Sequence, residues 1–338
     1  MKPLANLESI PSVLGVLERA FGEHGTSALD RRVPDVVWRR ALSGPAEEFL
    51  SRPGKQLRSA MVSTGWLLAE RSDDATAQRL GMIVELIHAG SLVIDDVEDD
   101  SHERRGGPAL HDLFGVPLAI NTGSWMYFLA LAEISALGLP AANELAVYRA
   151  ACTTLVRCHQ GQALDLSVRI PDLALPDVPA VVDATTRLKT GALCAFATSI
   201  GAHAAGTAPD VVEAAAKLGT VMGVALQMLD DLGSLKPARR AKGREDLRGR
   251  RPTWPWAWLA ETQPFAWSRL VARANAAHDD AELDAVADAL VAEIDHVGRA
   301  RIRALLDDAL ADLVARAGTG PAIATIGAAL SQMETSYG

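Results

Sequence analysis

The stretch Ala75–Asp100 is apolar at helical spacing and then closes on five acids within six positions: Asp95, Asp96, Glu98, Asp99 and Asp100. Two arginines and two glycines follow, so that Ser91–Gly107 reads SLVIDDVEDDSHERRGG. An apolar run with a helical period is a buried helix, and the acids therefore sit at its end. On that helix Asp95, Asp96 and Asp99 fall at i, i+1 and i+4, where their carboxylates can converge on one side. Close carboxylates repel unless protons or a cation neutralise them. Hard oxygen donors with room for water suit Mg²⁺, which usually holds substrate phosphates as well. A solvated helix end is the other reading of such a cluster. His88, alone among Leu86, Ile87, Val93 and Ile94, reads by itself as a core histidine.

The rest of the chain has the same helical character. Val36–Leu50, Leu57–Glu70, Val116–Leu137, Ala141–Ile170, Val181–Ala205 and Val211–Leu232 all carry apolar residues at helical spacing, and alanine-rich amphipathic segments close the chain. Pro171–Ala180, with three prolines, reads as a loop. Leu235–Pro255 has no apolar period and eight basic residues: Lys236, Arg239, Arg240, Lys242, Arg244, Arg248, Arg250 and Arg251. It reads as a long loop, either a lid that closes on phosphate or a solvated segment. Three tryptophans in TWPWAWLAE then restart helix. No alternating strand-length segment and no repeat of fixed period is present, so the expectation is one all-α domain over residues 1–338. That domain would be a helical bundle around a deep central cavity.

Composition narrows the function. A net charge of −9 argues against nucleic acid as a partner. No 18-residue apolar run stands out, so no transmembrane segment is expected, and the N-terminus lacks a secretory apolar region. Cys152, Cys158 and Cys194 form no CxxC pair and read as buried free thiols of a cytoplasmic protein.

Asp230–Asp231, in QMLDDLG, is a second acid pair at the end of an apolar helix, and like the first it is followed by cations. Two such helix ends facing each other across a bundle cavity would hold metal ions above an apolar pocket. The chemistry that needs this is departure of diphosphate from an apolar chain. Cations take up the leaving charge while the pocket keeps water from a carbocation. Lys55 and Arg58, near a helix start where cations are unfavourable, read as a solvated turn or as an anion clamp.

These residues resemble the trans-isoprenyl diphosphate synthases, the polyprenyl synthetase family. DDVEDDSHERRG matches the family's first aspartate-rich motif without a gap, and IHAGSLVIDD, GQALDL, KTGAL and QMLDD match in order between about Gly54 and Pro255. The resemblance implies Mg²⁺ bound by Asp95, Asp96 and Asp99, with Asp230 and Asp231 as a second cluster. It implies contacts from Arg104, Lys189 and Gln227 to the allylic diphosphate, which Thr190 helps position. Lys55, Arg58, His88 and Arg105 would hold isopentenyl diphosphate, with Lys242 or Arg240 in place of the family's following lysine. Gln162 and Asp165 are either part of the site or a hydrogen-bonded pair supporting it.

The sequence departs from the family pattern where Ser234 replaces the fifth acid of the second motif, where Gln56 follows Lys55, and at Ser124. Chain elongation is the first reading. A terpene cyclase on the same scaffold and a non-catalytic subunit are the alternatives. Gly90 and Ser91 leave the near pocket floor open, so Trp125, Met126 or Tyr127 would set a C15 to C20 product. Homodimerisation through helical faces is the family expectation.

Overall fold

The computed structural model describes residues 15–17, 20, 29, 31, 33–53, 57–69, 74–319, 323–324, 326–328 and 330. The described chain is almost all helix: α1 (Asp35–Trp38), α2 (Gly44–Leu50), α3 (Leu57–Leu68), α4 (Asp74–Glu98), α5 (Leu110–Phe114), α6 (Val116–Ser135) and α7 (Ala141–Ser167). There follow α8 (Val178–Thr186), α9 (Ala192–Ala205), α10 (Pro209–Ser234), α11 (Arg240–Arg248), α12 (Trp254–Thr262), α13 (Pro264–Ala276) and α14 (Asp280–Ala317). Among the described residues the β-structure is a two-residue ladder, β1 (Glu103–Arg104) against β2 (Gly107–Pro108). The all-α expectation holds. The residues fall into two compact units, 1–151 with 200–207, and 152–199 with 208–338.

In the first unit α4 is the central helix. Leu80, Ile83, Val84, Leu86 and Ile87 are buried along it, each such side chain stabilising by roughly 1.5–3 kcal/mol. It crosses α6 so closely that a Cβ on Gly90 would lie 2.6 Å from the Gly123 carbonyl oxygen. Gly115, at φ 83°, turns the chain between α5 and α6, and Pro117 opens α6 where its missing N–H is not needed.

In the second unit α10 packs along α14. Thr198 Oγ1 donates to the Ala215 carbonyl at 2.7 Å, and a Cβ on Gly219 would fall 2.1 Å from that hydroxyl oxygen. Trp254, Trp256 and Trp258 are buried in α12, and the Trp258 ring occupies the space a side chain at Gly298 would need. The N-cap of α14 is Asp279, which accepts from the Glu282 N–H at 2.9 Å.

Three expectations are corrected. Leu235–Pro255 is not a loop: Pro237–Arg239 forms a 3₁₀ turn and α11 follows. On α11, Arg240, Arg244 and Arg248 lie four apart and pair with Asp288, Asp284 and Asp280 on α14, at 2.6, 2.6 and 2.7 Å. Charge, not apolar surface, carries the helical period there. The Pro171–Ala180 loop is two 3₁₀ turns, with α8 already begun at Val178. Cys194 is buried and Cys158 partly so, but Cys152 is exposed; none of the three is in a disulfide. Among the described residues one helix, α10, is long and apolar enough to cross a membrane by length and composition, although 56% of its apolar window is buried inside the protein.

Candidate active site

The first acid run ends α4. Asp96 is fully buried, and Arg104 Nε donates to its Oδ1 at 2.7 Å, with Arg104 Nη2 on the same oxygen. Asp95 Oδ2 lies 3.9 Å from Arg104 Nη2. Asp96 Oδ2 is buried with no hydrogen-bond partner. Burial raises the Asp96 pKa, and Arg104 only partly opposes this. A buried carboxylate with one unpartnered oxygen fits a hard cation, and a donor set of carboxylate oxygens suits Mg²⁺. Asp99 lies one turn past Asp95, its N–H donating to the Asp95 carbonyl at 2.9 Å.

Arg104 is placed by the hairpin that carries it. Arg105 (φ 52°) and Gly106 (φ 75°) form its two-residue turn, both left-handed, as in a type I′ turn. The hairpin is clamped by Arg52, a residue the sequence reading missed. Arg52 Nη1 donates to the Arg104 carbonyl at 2.8 Å and Nη2 to the Pro108 carbonyl at 2.7 Å. Glu48 holds the same guanidinium from Nε at 3.1 Å and Nη2 at 2.8 Å. A Cβ on Gly107 would meet the Arg52 Cζ at 3.2 Å, so a side chain there would press on the clamp. The signal in sequence was the Glu48–Arg52 spacing of four.

Three of the four residues implied for the second diphosphate lie together. Arg58 Nη1 donates to His88 Nε2 at 2.9 Å, which assigns the imidazole proton to Nδ1. Burial pushes the His88 pKa well down, and Arg58, Arg105 and Arg104 press the same way, so the ring is neutral. Arg58 Nε is buried without a partner. Arg105 pairs with Glu85 at 2.6 Å and stacks 5.3 Å from the Phe49 ring centroid. Lys55 lies outside the described residues.

In the second unit, Asp230 pairs with both Arg239 and Lys242. Burial pushes its carboxyl up, but Lys242 and Arg239 outweigh that and leave its pKa below the usual value. Lys242 lies on the face of α11 turned away from the arginine ladder. Asp231 differs. Its Oδ1 accepts from Gln227 Nε2 at 2.7 Å and its Oδ2 from the Trp254 N–H at 3.0 Å, so both oxygens are engaged. Burial pushes its pKa up to about 7 despite those bonds. Thr190 Oγ1 donates to Gln227 Oε1 at 3.2 Å, so Thr190, Gln227 and Asp231 form one chain of hydrogen bonds. Ser234 is buried, donating to the Asp231 carbonyl at 2.8 Å under Gly243, where a Cβ would lie 2.4 Å from the Ser234 carbonyl oxygen. Lys189 Nζ donates to Asp165 Oδ2 at 2.7 Å. Asp246, also missed in sequence, lies one turn beyond Lys242, and burial pushes its pKa up to about 6.

Known proteins are similar to this chain in sequence and in fold. The sequence model of the polyprenyl synthetase family matches residues 39–291. A geranylgeranyl pyrophosphate synthase of Penicillium canescens is 30% identical over 255 residues, covering 72% of each chain. Another, from Aspergillus versicolor, is 30% identical over 64% of this chain and 55% of its own length. In fold, the chain is similar to the geranylgeranyl pyrophosphate synthase of Corynebacterium glutamicum solved with isoprenyl diphosphate and magnesium. The TM-score is 0.78 at 20% identity, over 99% of this chain and 100% of that one. The enzyme of the archaeon Geoglobus acetivorans gives 0.76 at 22%, over 95% and 97%. An all-α fold, two acid pairs flanked by ordered cations and a family match from Arg39 to Val291 converge on one conclusion: this chain belongs to the polyprenyl synthetase family and is a trans-prenyltransferase.

Proposed function

We propose that the protein condenses isopentenyl diphosphate with an allylic diphosphate, dependent on Mg²⁺, to give a trans-prenyl diphosphate of C15 to C20. The observation that carries the reading is Asp96: buried, tied to Arg104 through one oxygen and unpartnered at the other. Asp95, Asp96 and Asp99 would hold the metal. When bound, Mg²⁺ neutralises diphosphate charge and favours its departure.

The chain's own residues do the rest. Arg104 and Lys189 receive the negative charge that develops on the leaving diphosphate, each held in place by a carboxylate, Asp96 and Asp165. Gln227 and Thr190 orient that diphosphate, and Asp231 keeps Gln227 in position. Lys55, Arg58, His88 and Arg105 hold isopentenyl diphosphate. Neutral His88 offers its Nδ1–H, and Arg58 its unpartnered Nε–H, to phosphate oxygen. The isopentenyl double bond then attacks C1 of the allylic cation, a C–C bond forms, and a proton leaves to the departed diphosphate.

Ser234 does not argue for cyclisation. It lies under α11, where an acid would be a buried charge. A product near C20 is supported by the relatives, and half-buried Trp125 and Tyr127 with buried Met126 remain the floor residues proposed. Gly90 is small because α4 and α6 touch there. A homodimer is supported by apolar residues left exposed on α6, among them Phe128 at 69%.

The test is product analysis with Mg²⁺, isopentenyl diphosphate and dimethylallyl, geranyl or farnesyl diphosphate. Longer trans-prenyl diphosphates are expected. Hydrocarbons or alcohols alone would assign a cyclase, and no product would assign a subunit; either overturns the reading.

A further inference from the structure

Outside both acid pairs, three side chains gather where the hairpin meets α5: His102, His111 and Asp112. His102 Nδ1 lies 3.0 Å from Asp112 Oδ2 and 3.2 Å from Oδ1, and His111 Nε2 lies 3.5 Å from Asp112 Oδ1. Ligand atoms from all three fall within 4.8 Å of one another. Donors bound at 2.0–2.1 Å around a tetrahedral ion stand about 3.3 Å apart, and Asp112 Oδ1 lies 3.2 Å from His102 Nδ1 and 3.5 Å from His111 Nε2. The second observation is His111 itself. Its side chain is 8% exposed, yet neither ring nitrogen makes a hydrogen bond. A buried imidazole is normally satisfied by a partner or an ion.

We propose that His102, His111 and Asp112 form a binding site for a first-row transition-metal dication of the Zn²⁺ class, with its remaining position open to water. Two imidazoles and one carboxylate select such ions over Mg²⁺, which prefers oxygen donors. The site is therefore distinct in chemistry from the acid run of α4. His102 follows that run, and His111 and Asp112 lie on α5, so a bound ion joins the two ends of the segment that carries Arg104 and Arg105. The backbone already closes there, with the Ala109 N–H donating to the His102 carbonyl at 2.9 Å. A metal at this point steadies the hairpin that sets Arg104 on Asp96 and Arg105 on Glu85. The proposal stands independently of which prenyl chain the enzyme makes.

The test uses full-length protein stripped with chelator, in millimolar Mg²⁺ to occupy the acid run. Co²⁺ titration should give a visible d–d band that stoichiometric Zn²⁺ abolishes. His102→Gln and Asp112→Asn, both at exposed positions, should each weaken Zn²⁺ binding at least tenfold in competition with a chromophoric chelator. Asp95→Asn should leave it within twofold. Zn²⁺ should also raise the Tm of the wild type and leave that of His102→Gln unmoved. Absence of the Co²⁺ band in wild type, its persistence in both His102→Gln and Asp112→Asn, or its loss in Asp95→Asn would each overturn the site.

Discussion

Asp231→Asn should change how stability depends on pH, in a direction that follows from burial. The Asp231 carboxyl is 6% exposed and its pKa stands at about 7 in the folded protein, against about 3.9 for an unfolded aspartate. The folded state therefore holds this proton more tightly than the unfolded one. That preference stabilises the fold on the acid side and is lost as pH rises from about 4 to about 7. Between pH 5 and pH 8 the loss from this one group is about 2–3 kcal/mol. Asparagine removes the titration but keeps the shape. Its carbonyl still accepts from the Trp254 N–H, and its amide donates to Gln227 once that side chain turns over. The assay is guanidinium denaturation followed by tryptophan fluorescence, in chelator, for wild type and variant at pH 5, 6.5 and 8. Other titrating groups cancel in the difference between the two proteins. That difference should move toward the variant by about 2–3 kcal/mol across the range. A difference that stays flat, or moves the other way, would refute a buried protonated Asp231.

Asp96→Asn should lower turnover by about 10²–10³-fold while circular dichroism stays unchanged, because the change removes a donor without removing volume. Arg52→Ala frees the hairpin from α2. It should cost about 3 kcal/mol in denaturant midpoint analysis and lower kcat without touching a substrate, whereas unchanged kinetics would show that the clamp does not position Arg104. Tyr127→Ala should lengthen the product seen by chromatography of dephosphorylated prenols, and an unchanged product would remove Tyr127 from the pocket floor.

How far the sequence was legible depended on which period carried the information. Apolar residues repeating at 3.6 marked α3, α4, α6, α7 and α10 to within a few residues, because their buried faces are hydrophobic, while the single segment Val181–Ala205 ran across most of α8 and all of α9. The same criterion failed on α11, whose anchoring face is Arg240, Arg244 and Arg248 and whose partner face is Asp280, Asp284 and Asp288. Searching the basic run for charge at i, i+4 and i+8, and α14 for the complementary acids, would have recovered that helix. It would also have placed Lys242 on the opposite side, where it meets Asp230. Motif matching found the residues at the site but ranked Asp230 and Asp231 as equals. Their surroundings separate only in three dimensions, where the cations Arg239 and Lys242 take the two oxygens of one carboxylate while the neutral Gln227 amide and the Trp254 N–H take those of the other. The missing fifth acid has the same kind of explanation. Gly243 brings the backbone of α11 onto the Ser234 carbonyl and Ser234 is buried, so an acid at this position would be a buried charge. Arg52 acts at a remove, since the hairpin it holds decides where Arg104 points. The first acid motif could be read from spacing because its acids lie on consecutive turns of one helix; Arg52, which holds the neighbouring hairpin, could not, because it acts on backbone carbonyls brought close only by folding.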